Sequence, residues 1–513
     1  MASLSRKPAL VFIGFMGAGK STALAAAREA GLETTEVDGL IERELGAPIG
    51  EFFDTHGEPE FRRREAKVVL PLLERADGGA IALGGGSVLD PGVPEALRRH
   101  VVVWLAVGIE EAWRRVQGSD RPLARDHDAF AALMPVREPL YEQLADAVVM
   151  PGDRGTPARA LPAILALLGT PEGTRLLWAA SESGEYPVLV GEGVLDAGWW
   201  PLEGRRFAVS DTHVGPLYGP RLEPLEASVE VDPGEGAKTL AEAERVLREL
   251  TAAGMTRSDH VVALRGGVVG DLAGFVAHTY QRGVPVVQVP TTLVAQVDSA
   301  YGGKTGVDLP EGKNYVGAYH LPAAVIADTG ALATLPGEEL AAGFVEVLKT
   351  GLLAGGPLWE AIRDARPEQA ADPAIVFACA RYKCEVVAAD ERDAGPRQVL
   401  NLGHTVGHAV EAATGYGRYR HGEAVGLGLL AALRLSGAED LREQTAEALG
   451  RFRLPLRLDP DVDLDAVMAA VERDKKRTAD GVPFVLLDEP GSPRPGQLLD
   501  PARVREAVEE LSA

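Results

Sequence analysis

Residues 397–423, RQVLNLGHTVGHAVEAATGYGRYRHGE, contain three of the ten histidines in the chain. His404 and His408 are four residues apart, so a helix would place both side chains on one face. His421 follows a glycine- and tyrosine-rich break, and the chain can fold it back toward the other two. On spacing alone, His404 and His408 are the pair predicted to share a metal ion.

An upstream carboxylate completes the candidate metal site. Glu346 and Lys349 lie three residues apart in AAGFVEVLKTGLL and share a predicted helical face. Two imidazoles and one carboxylate make a zinc site with one position open, an arrangement typical of catalytic zinc. Helix-surface or buried histidines satisfied by hydrogen bonds explain the spacing equally well, because His-x-x-x-His without a third fixed ligand is a modest signal.

The composition indicates a globular protein with more than one domain and limits its partners. At 513 residues the chain is too long for one ordinary core. A formal net charge of −23 argues against nucleic acid as the main partner, since no basic excess exists to bind a phosphate backbone. Two cysteines are too few for a disulfide framework, and neither a signal peptide nor a membrane-spanning apolar run is evident. We therefore expect a cytoplasmic enzyme acting on small molecules, with no nucleic-acid or membrane partner.

The N-terminal segment carries a phosphate-binding motif. The run ALVFIGF predicts a buried parallel strand, and STALAAAREAGL predicts the helix that follows it. Between them the chain fits G-x-x-x-x-G-K-[ST], in which backbone N–H groups cradle phosphates, Lys20 would hold the β- and γ-phosphates and Ser21 would ligate Mg²⁺. A chance glycine turn is the alternative interpretation. The predicted nucleotide-binding residues are Gly14, Gly17, Ala18, Gly19, Lys20, Ser21 and Thr22.

Further motifs place charged residues and glycines at expected strand ends and helix starts, where α/β folds bind ligands. They are TTEVDGL, GEPEFRRREAK, AIALGGGSVL, DRPLA and REPLYEQ. In order and spacing, nearly all of residues 8–170 resembles shikimate kinase, a small P-loop fold with a parallel sheet. The resemblance implies a domain at 1–170 that uses Mg²⁺ with ATP to phosphorylate the 3-hydroxyl of shikimate. It assigns catalysis to Lys20, Asp38 and the lid residue Arg121, and the shikimate pocket to Asp38, Arg62, Gly84, Gly85, Gly86 and Arg137.

The remainder of the chain divides into an α/β part and a helical part. A GTPEG turn predicts a boundary near residue 170, and long helical patterns replace strands from about residue 336. We therefore predict further domains at 171–335 and 336–513.

The α/β part contains a second candidate anion site. In PTTLVAQVDSAYGGKTGVDLPEGKN, the residues Asp298, Lys304, Lys313 and Asn314 are separated by glycines, and cations on glycine-rich loops are typical of anion sites. Scattered surface lysines are the alternative. Together with EVLK and LNLGHTVGHAVE, this stretch closely resembles 3-dehydroquinate synthase, over about residues 185–490. The resemblance implies a Rossmann-like NAD-binding α/β domain followed by an all-helical metal-binding domain.

The resemblance also implies roles for individual residues. It gives Glu346, His404 and His421 as ligands of Zn²⁺ or Co²⁺, and makes His408 an acid/base group near the substrate phosphate instead of a ligand. The predicted NAD contacts are Asp211, Glu235, Lys238, Gly266, Gly267, Val268, Asp271, Thr291 and Thr292. The predicted reacting groups are Lys304, Lys349, Lys383, Arg397 and His408. The predicted substrate contacts are Arg282, Asp298, Lys304, Lys313, Asn314, Asn401 and Lys476.

The implied reaction converts 3-deoxy-D-arabino-heptulosonate 7-phosphate into 3-dehydroquinate and phosphate. NAD⁺ oxidises a ring hydroxyl, phosphate is eliminated, the ketone is reduced again, the ring opens and an aldol step recloses it. Zinc polarises the hydroxyl and its ketone. Arg282 matches a family arginine that reaches the phosphate pocket of a neighbouring subunit, which implies a homodimer.

Three departures from the family patterns stand out, and two alternatives stay open. Glu36 stands where the kinase family usually has Asp, Arg265 where the synthase family generally has a third glycine, and Asp393 where it prefers Glu. Arg265 would either crowd the pyrophosphate or point away from it. The C-terminal part could instead be a related sugar-phosphate cyclase, and the kinase part a non-catalytic nucleotide-binding module. Direct channelling between the two sites is excluded, since two further enzymes separate dehydroquinate from shikimate.

Overall fold

Short hydrophobic runs in the first third of the chain form a parallel sheet. The strands are β1 Leu10–Ile13, β2 Thr34–Glu36, β3 Ala80–Ala82, β4 Val101–Leu105, β5 Ala147–Val149 and β6 Arg175–Ser181. They pair in the order β2-β3-β1-β4-β5-β6, and β1 is buried along its whole length. The helices are α1 Lys20–Glu29, α2 Val37–Leu45, α3 Ile49–Arg75, α4 Gly92–Leu97, α5 Ile109–Val116, α6 His127–Ala132, α7 Met134–Leu144 and α8 Thr156–Ala166. The predicted strand–loop–helix motif is therefore present as β1 and α1.

This computed structural model describes residues 7–473 and 481–512. The chain separates into two units, one ending at residue 180 with 187–189 added, and the other made of residues 181–186 and 190 onward. Lys476, a predicted substrate contact, lies outside the described residues. Within the two described ranges, no helix has the length and apolar character needed to cross a bilayer.

A second parallel sheet forms the first part of the C-terminal unit. β7 Gly184–Gly191 contributes residues to both units. The parallel strands of the C-terminal unit are β8 Arg206–Asp211, β9 Ala227–Val231, β10 His260–Leu264, β11 Val286–Val289 and β14 Ala324–Asp328. β12 Lys304–Leu309 and β13 Gly312–Tyr319 form a separate antiparallel hairpin. The order β14-β11-β10-β8-β9 is parallel throughout. The helices of this region are α9 Gly215–Tyr218, α10 Leu240–Ala252 and α11 Gly267–Thr279. Val246 of α10 and Val276 of α11 belong to the same buried cluster as Phe207 and Val261 of the sheet.

The rest of the C-terminal unit is mainly helical, as predicted. It contains α12 Gly337–Ala354, α13 Gly356–Arg363, α14 Pro373–Ala389, α15 His404–Ala413, α16 His421–Ser436, α17 Glu439–Arg451, α18 Leu464–Glu472 and α19 Pro501–Glu509. An all-helical domain is expected here, but the structure also contains an antiparallel hairpin, β15 Pro483–Leu487 with β16 Pro493–Leu498. Four buried hydrophobic residues in succession on β15 account for the hairpin, since such a run suits a strand packed against other elements.

Candidate active sites

The phosphate-binding loop connects β1 to α1 and requires its glycines. Gly14, Gly17 and Gly19 have φ values of 142°, 81° and 95°. A Cβ on Gly14 would also lie 2.5 Å from the carbonyl oxygen of Leu105. Lys20 donates from Nζ to the carbonyl oxygen of Gly14 at 2.8 Å and to that of the next residue at 3.0 Å. The ammonium group therefore lies across the loop, where a bound phosphate would compete for it.

The charges predicted for the kinase site surround Lys20. Burial lowers the pKa of Lys20 to about 8, with help from the positive charges of Arg121 and Arg137 and against the attraction of Asp38. The structure thus brings these four groups within electrostatic range of one another. An anion bound at the loop would favour the protonated amine.

Ser21, the predicted magnesium ligand, contacts the acid that departs from the family pattern. Its Oγ donates to Glu36 Oε1 at 2.8 Å. Glu36 is the last residue of β2, and Asp38 lies in the first turn of α2. The longer side chain of Glu36 therefore still reaches the predicted ligand, and the two oxygens suit a hard cation such as Mg²⁺.

Arg62 lies against the glycine run Gly84–Gly86. Its guanidinium donates to Glu65 at 2.6 Å, and a Cβ on the last of the three glycines would overlap it. Glu65 also accepts a hydrogen bond from Ser87 Oγ at 2.7 Å. Arg137 is only 2% exposed, and burial lowers its pKa, with a further contribution from the charge of Arg62. The two predicted substrate arginines are therefore both held by the surrounding chain.

Arg115 is a candidate nucleotide contact that sequence reasoning missed. Its Nη1 donates to the carbonyl oxygen of Gly17 at 3.0 Å, and its Nε donates to Glu111 at 2.6 Å. Both side chains line a cavity together with Ala18, Gly19, Thr22 and residues 149–154. In the sequence, Glu111 and Arg115 form an i, i+4 pair that is indistinguishable from an ordinary surface ion pair on a helix.

Three helices converge on the candidate metal centre. Glu346 comes from α12, His404 begins α15 and His421 begins α16, and one ligand atom from each lies within 4.8 Å of the others. The Nε2 atoms of His404 and His421 are 3.5 and 3.4 Å from Glu346 Oε1. Burial opposes ionisation of Glu346, but Lys349 and the two histidines hold its pKa well below the usual range.

The donor set fits a zinc ion. Glu346 is 1% exposed, and within the described residues neither of its carboxylate oxygens has a hydrogen bond of good geometry, although Lys349 Nζ is 2.5 Å from Oε2. A buried carboxylate with free lone pairs facing two imidazoles is the environment that a divalent cation satisfies. The Nδ1 of His404 lies 3.1 Å from the carbonyl oxygen of Leu402, and an N–H there leaves Nε2 directed at the site.

His408 groups with other side chains than the spacing alone predicts. Its possible ligand atoms cluster with those of Glu411 and His421, not with His404 and Glu346. Glu411 accepts from His421 Nδ1 at 3.2 Å and lies 3.5 Å from Lys313 Nζ. Burial lowers the pKa of His421, but the carboxylates of Glu346 and Glu411 outweigh it and raise the value to about 10. The metal pairing of His404 with His408 is therefore replaced by one of His404 with His421.

A chain of alternating charges leads away from Glu346. Asp298 lies 2.6 Å from Lys383 Nζ and 3.9 Å from Lys349 Nζ. Burial lowers the pKa of Lys383 despite Asp298, whereas Glu346 and Asp298 overcome burial and raise the pKa of Lys349. The structure thus brings together several of the predicted substrate groups around the candidate metal centre.

The other predicted substrate residues occupy the surrounding loops and strands. Lys304 forms a close ion pair with Asp393, the acid that departs from the family pattern. Burial lowers the pKa of Lys304. Asn314 has a φ of 57° in β13, and its N–H donates to Asp308 at 2.7 Å. Asn401 lies three residues before His404. Arg282 follows α11 and has a φ of 70°. Among the described residues, it forms no ion pair.

The predicted dinucleotide site lies at the N-terminus of α11. A Cβ on Gly266 would lie 2.7 Å from the Thr292 side chain, so this turn requires glycine. Lys238 pairs with Asp271 at 2.5 Å and with Glu235 at 3.7 Å. Free N–H groups at a helix N-terminus suit a pyrophosphate, so the site fits a dinucleotide.

Two further groups predicted to contact NAD lie near this helix. Thr291, in the segment after β11, is 4% exposed, and its Oγ1 has no hydrogen bond within the described residues. Asp211 ends β8, and Arg265 contacts its carboxylate. Val268 belongs to the first turn of α11.

Comparison with known proteins assigns both parts of the chain. The 3-dehydroquinate synthase N-terminal and C-terminal family models match residues 228–342 and 343–477, and the shikimate kinase model matches residues 16–166. A 3-dehydroquinate synthase from Halorhodospira halophila is 45% identical over 335 residues, which cover 62% of this chain and 94% of that protein. The chain belongs to the 3-dehydroquinate synthase family. Its N-terminal segment adds a shikimate kinase, so the predicted fusion of a kinase with a lyase is confirmed.

Solved structures resemble the dehydroquinate synthase part. A 2-epi-5-epi-valiolone synthase from Streptomyces hygroscopicus, with NAD⁺ and Zn²⁺ bound, is 27% identical with a TM-score of 0.60, covering 65% of this chain and 98% of that one. A 2-deoxy-scyllo-inosose synthase, complexed with carbaglucose-6-phosphate, NAD⁺ and Co²⁺, is 25% identical with a TM-score of 0.58, covering 65% and 99%. The dehydroquinate synthase part therefore shares its fold with two synthases whose structures contain NAD⁺ and a divalent metal ion.

Proposed function

We propose that this fusion phosphorylates the 3-hydroxyl of shikimate with ATP, and cyclises 3-deoxy-D-arabino-heptulosonate 7-phosphate to 3-dehydroquinate plus phosphate. The first activity is supported by Lys20, which lies across the phosphate loop beside Asp38 and two arginines. The second is supported by the convergence of Glu346, His404 and His421 next to buried lysines.

The kinase residues would divide the work of phosphoryl transfer. Lys20 and Arg121 would stabilise negative charge on the transferring phosphoryl group. Arg62 and Arg137 would pair with the shikimate carboxylate, and Asp38 would orient the attacking hydroxyl or accept its proton. Ser21, with Glu36 beside it, would hold the Mg²⁺ that enters with ATP and neutralises phosphate charge.

The synthase residues would bind a substrate that carries both a carboxylate and a phosphate. Lys349, Lys383 and Arg397 are buried cations that would hold these anionic groups and exclude water. His408 would carry a proton near the substrate phosphate, and Lys304 with Asp393 would close the other side of the pocket. The remaining predicted substrate contacts are Arg282, Asp298, Lys313, Asn314, Asn401 and Lys476.

The cofactor residues of the synthase would hold two groups. Glu346, His404 and His421 would hold Zn²⁺ or Co²⁺, which as a Lewis acid makes a substrate hydroxyl easier to deprotonate and oxidise. NAD⁺, when bound, would supply the hydride-transfer chemistry that the reaction needs. Its predicted contacts are Asp211, Glu235, Lys238, Gly266, Gly267, Val268, Asp271, Thr291 and Thr292.

Reciprocal variants of the full chain test both activities. We expect chelator-treated enzyme given heptulosonate 7-phosphate and NAD⁺ to release phosphate and form dehydroquinate only after zinc is added back. His404→Ala should lose this activity and keep shikimate phosphorylation, whereas Lys20→Met should do the opposite. Failure of the zinc-loaded wild type to convert the heptulosonate would contradict the synthase assignment, and ATP turnover without shikimate 3-phosphate would contradict the kinase assignment.

A related cyclase activity is the second candidate, because the solved neighbours are cyclases named for other products. Buried Arg397 favours a substrate with a carboxylate. Product analysis with each sugar phosphate separates the two cases, since a carboxylate-free hexose or heptulose phosphate should not be turned over.

We further propose the domain bounds, the oligomeric state and the location of the protein. The domains would span residues 1–170, 171–335 and 336–513. The synthase part would form a homodimer in which Arg282 reaches the partner's phosphate pocket, and the protein would act in the cytoplasm. Sedimentation of wild type and Arg282→Ala would test the dimer separately from the contribution of Arg282 to catalysis.

A further inference from the structure

Arg265 and Asp211 emerge side by side from the sheet of the C-terminal unit. Asp211 is the last residue of β8, and Arg265 directly follows β10. The two strands are parallel neighbours, and Ser210 Oγ donates to the carbonyl oxygen of Leu264 at 2.9 Å. Arg265 Nη1 contacts Asp211 Oδ2 as a close ion pair. Both side chains therefore lie at the carboxyl edge of the sheet, next to the start of α11.

The ion pair balances a buried charge. Asp211 is 0% exposed, and its Oδ1 accepts the N–H groups of His213 and Val214 at 2.8 and 2.7 Å. Its Oδ2 has no hydrogen bond of good geometry among the described residues, so Arg265 is the group that neutralises it. The Arg265 side chain keeps 20% of its surface exposed, and the contact through Nη1 leaves Nη2 and Nε to donate to a second acceptor.

The position of this pair within the sheet bears on dinucleotide choice. In doubly wound folds, an acid on the strand beside the glycine turn binds the adenosine ribose and selects NAD, whereas a nearby arginine accommodates the 2′-phosphate of NADP. Here Asp211 ends the strand beside the glycine turn, and Arg265 begins that turn and contacts Asp211. We propose that Arg265 lets this pocket accept a 2′-phosphate, so that the chain binds NADP⁺ as well as NAD⁺. This inference rests on the proposed NAD site.

Charge explains the expected effect. A 2′-phosphate carries a charge of about −2 near neutral pH and would be repelled by a lone buried carboxylate. The Asp211–Arg265 pair is neutral overall, and the guanidinium adds N–H donors in a geometry that matches phosphate oxygens. Glycine at position 265, as in the family pattern, would leave Asp211 as the dominant charge.

Calorimetric titration of the zinc-loaded full chain with NAD⁺ and with NADP⁺ tests the proposal. A saturating non-hydrolysable ATP analogue with Mg²⁺ keeps the kinase site filled, so that adenosine phosphates do not bind there. For wild type we expect the two dissociation constants to agree within about tenfold. For Arg265→Gly, NADP⁺ should bind about 10- to 100-fold more weakly, which corresponds to losing a charged hydrogen bond.

Two further variants separate local charge from net charge. Arg265→Lys should keep part of the NADP⁺ affinity, and Arg248→Ala, which removes an exposed arginine of α10 paired with Glu244, should change neither constant. Wild type that binds NAD⁺ but discriminates against NADP⁺ by more than about tenfold would overturn the inference and leave the NAD site intact. Unchanged NADP⁺ affinity in Arg265→Gly would overturn the inference as well. Wild type that binds neither dinucleotide would refute the proposed NAD site itself.

Discussion

Helix α16 approaches α12 so closely that glycine is required directly after the predicted metal ligand His421. A Cβ on Gly422 would overlap the carbonyl oxygen of Ala342 in α12, the helix that carries Glu346. Real Cβ atoms are essentially never found closer than 3.0 Å to such an atom, so Gly422→Ala must push the helices apart by roughly 1 Å. This movement separates His421 from Glu346 directly.

We expect Gly422→Ala to damage metal binding far more than folding. Overpacking costs about 1–3 kcal/mol, and alanine in place of a helical glycine returns about 1 kcal/mol. A displacement of about 1 Å at a functional group costs on the order of 100-fold, so zinc affinity should fall by about that factor. Competition against a fluorescent zinc chelator measures the affinity, and urea unfolding of the metal-free protein measures the stability.

Gly426→Ala on the same helix is the matched control. Its added Cβ would lie 3.3 Å from a terminal methyl of Leu449, a flexible side chain that can move aside. Zinc affinity should therefore stay within about threefold of wild type, and helix propensity should add a little stability. If Gly422→Ala also bound zinc within about threefold of wild type, close packing of α16 on α12 would not be what sets the ligand geometry.

Three further perturbations test the electrostatics. Since a bound phosphate raises the pKa of Lys20 from about 8, nucleotide titrated near pH 8.5 in buffers of different ionisation enthalpy should show proton uptake, which Lys20→Arg abolishes. Glu411→Ala removes the acceptor for His421 Nδ1, so chelator competition should show zinc affinity about 10- to 100-fold lower, and Glu411→Gln should recover much of it. Burial opposes ionisation of Asp259, but Arg205 holds the pKa of this carboxyl far below normal. The ionised carboxylate therefore stabilises the fold above about pH 4, and this contribution is lost as the pH falls further. Asp259→Asn should flatten the dependence of the free energy of unfolding, measured with urea, from about pH 4 to 2.

The order of structural elements could be predicted from the sequence because the hydrophobic periodicity is local. A buried run such as β1, followed by a glycine loop and a helix, depends only on residues within about 25 positions of one another. The β15–β16 hairpin is not predicted from this local periodicity. Its apolar run is short, and a short run does not distinguish a strand from a buried helical segment until its packing partner is known.

The site was less predictable, because it depends on how helices meet. The spacing of His404 and His408 fixes a shared face of α15, but it does not fix which histidine another helix will join. His421 completes the set with Glu346 because Gly422 lets α16 pack against α12 at Ala342, which lies far away in the sequence. The contact of Arg265 with Asp211 is likewise a property of strand order, which the glycine turn alone does not reveal.

The charges around the candidate metal centre indicate which cation remains for a substrate carboxylate. Lys349 pairs with Glu346 and lies 3.9 Å from Asp298, Lys383 pairs with Asp298, and Lys304 pairs with Asp393. Arg397 differs, since it is 2% exposed and donates to backbone carbonyl oxygens, at 2.7 Å for Glu391 and 3.4 Å for Gly302. Among the described residues it forms no ion pair, and its Nε has no acceptor. A buried guanidinium that forms no direct ion pair is costly, and the Asp390 carboxylate offsets its charge only from a greater distance. An anionic substrate group at Arg397 would therefore reduce a penalty that the protein alone leaves in place.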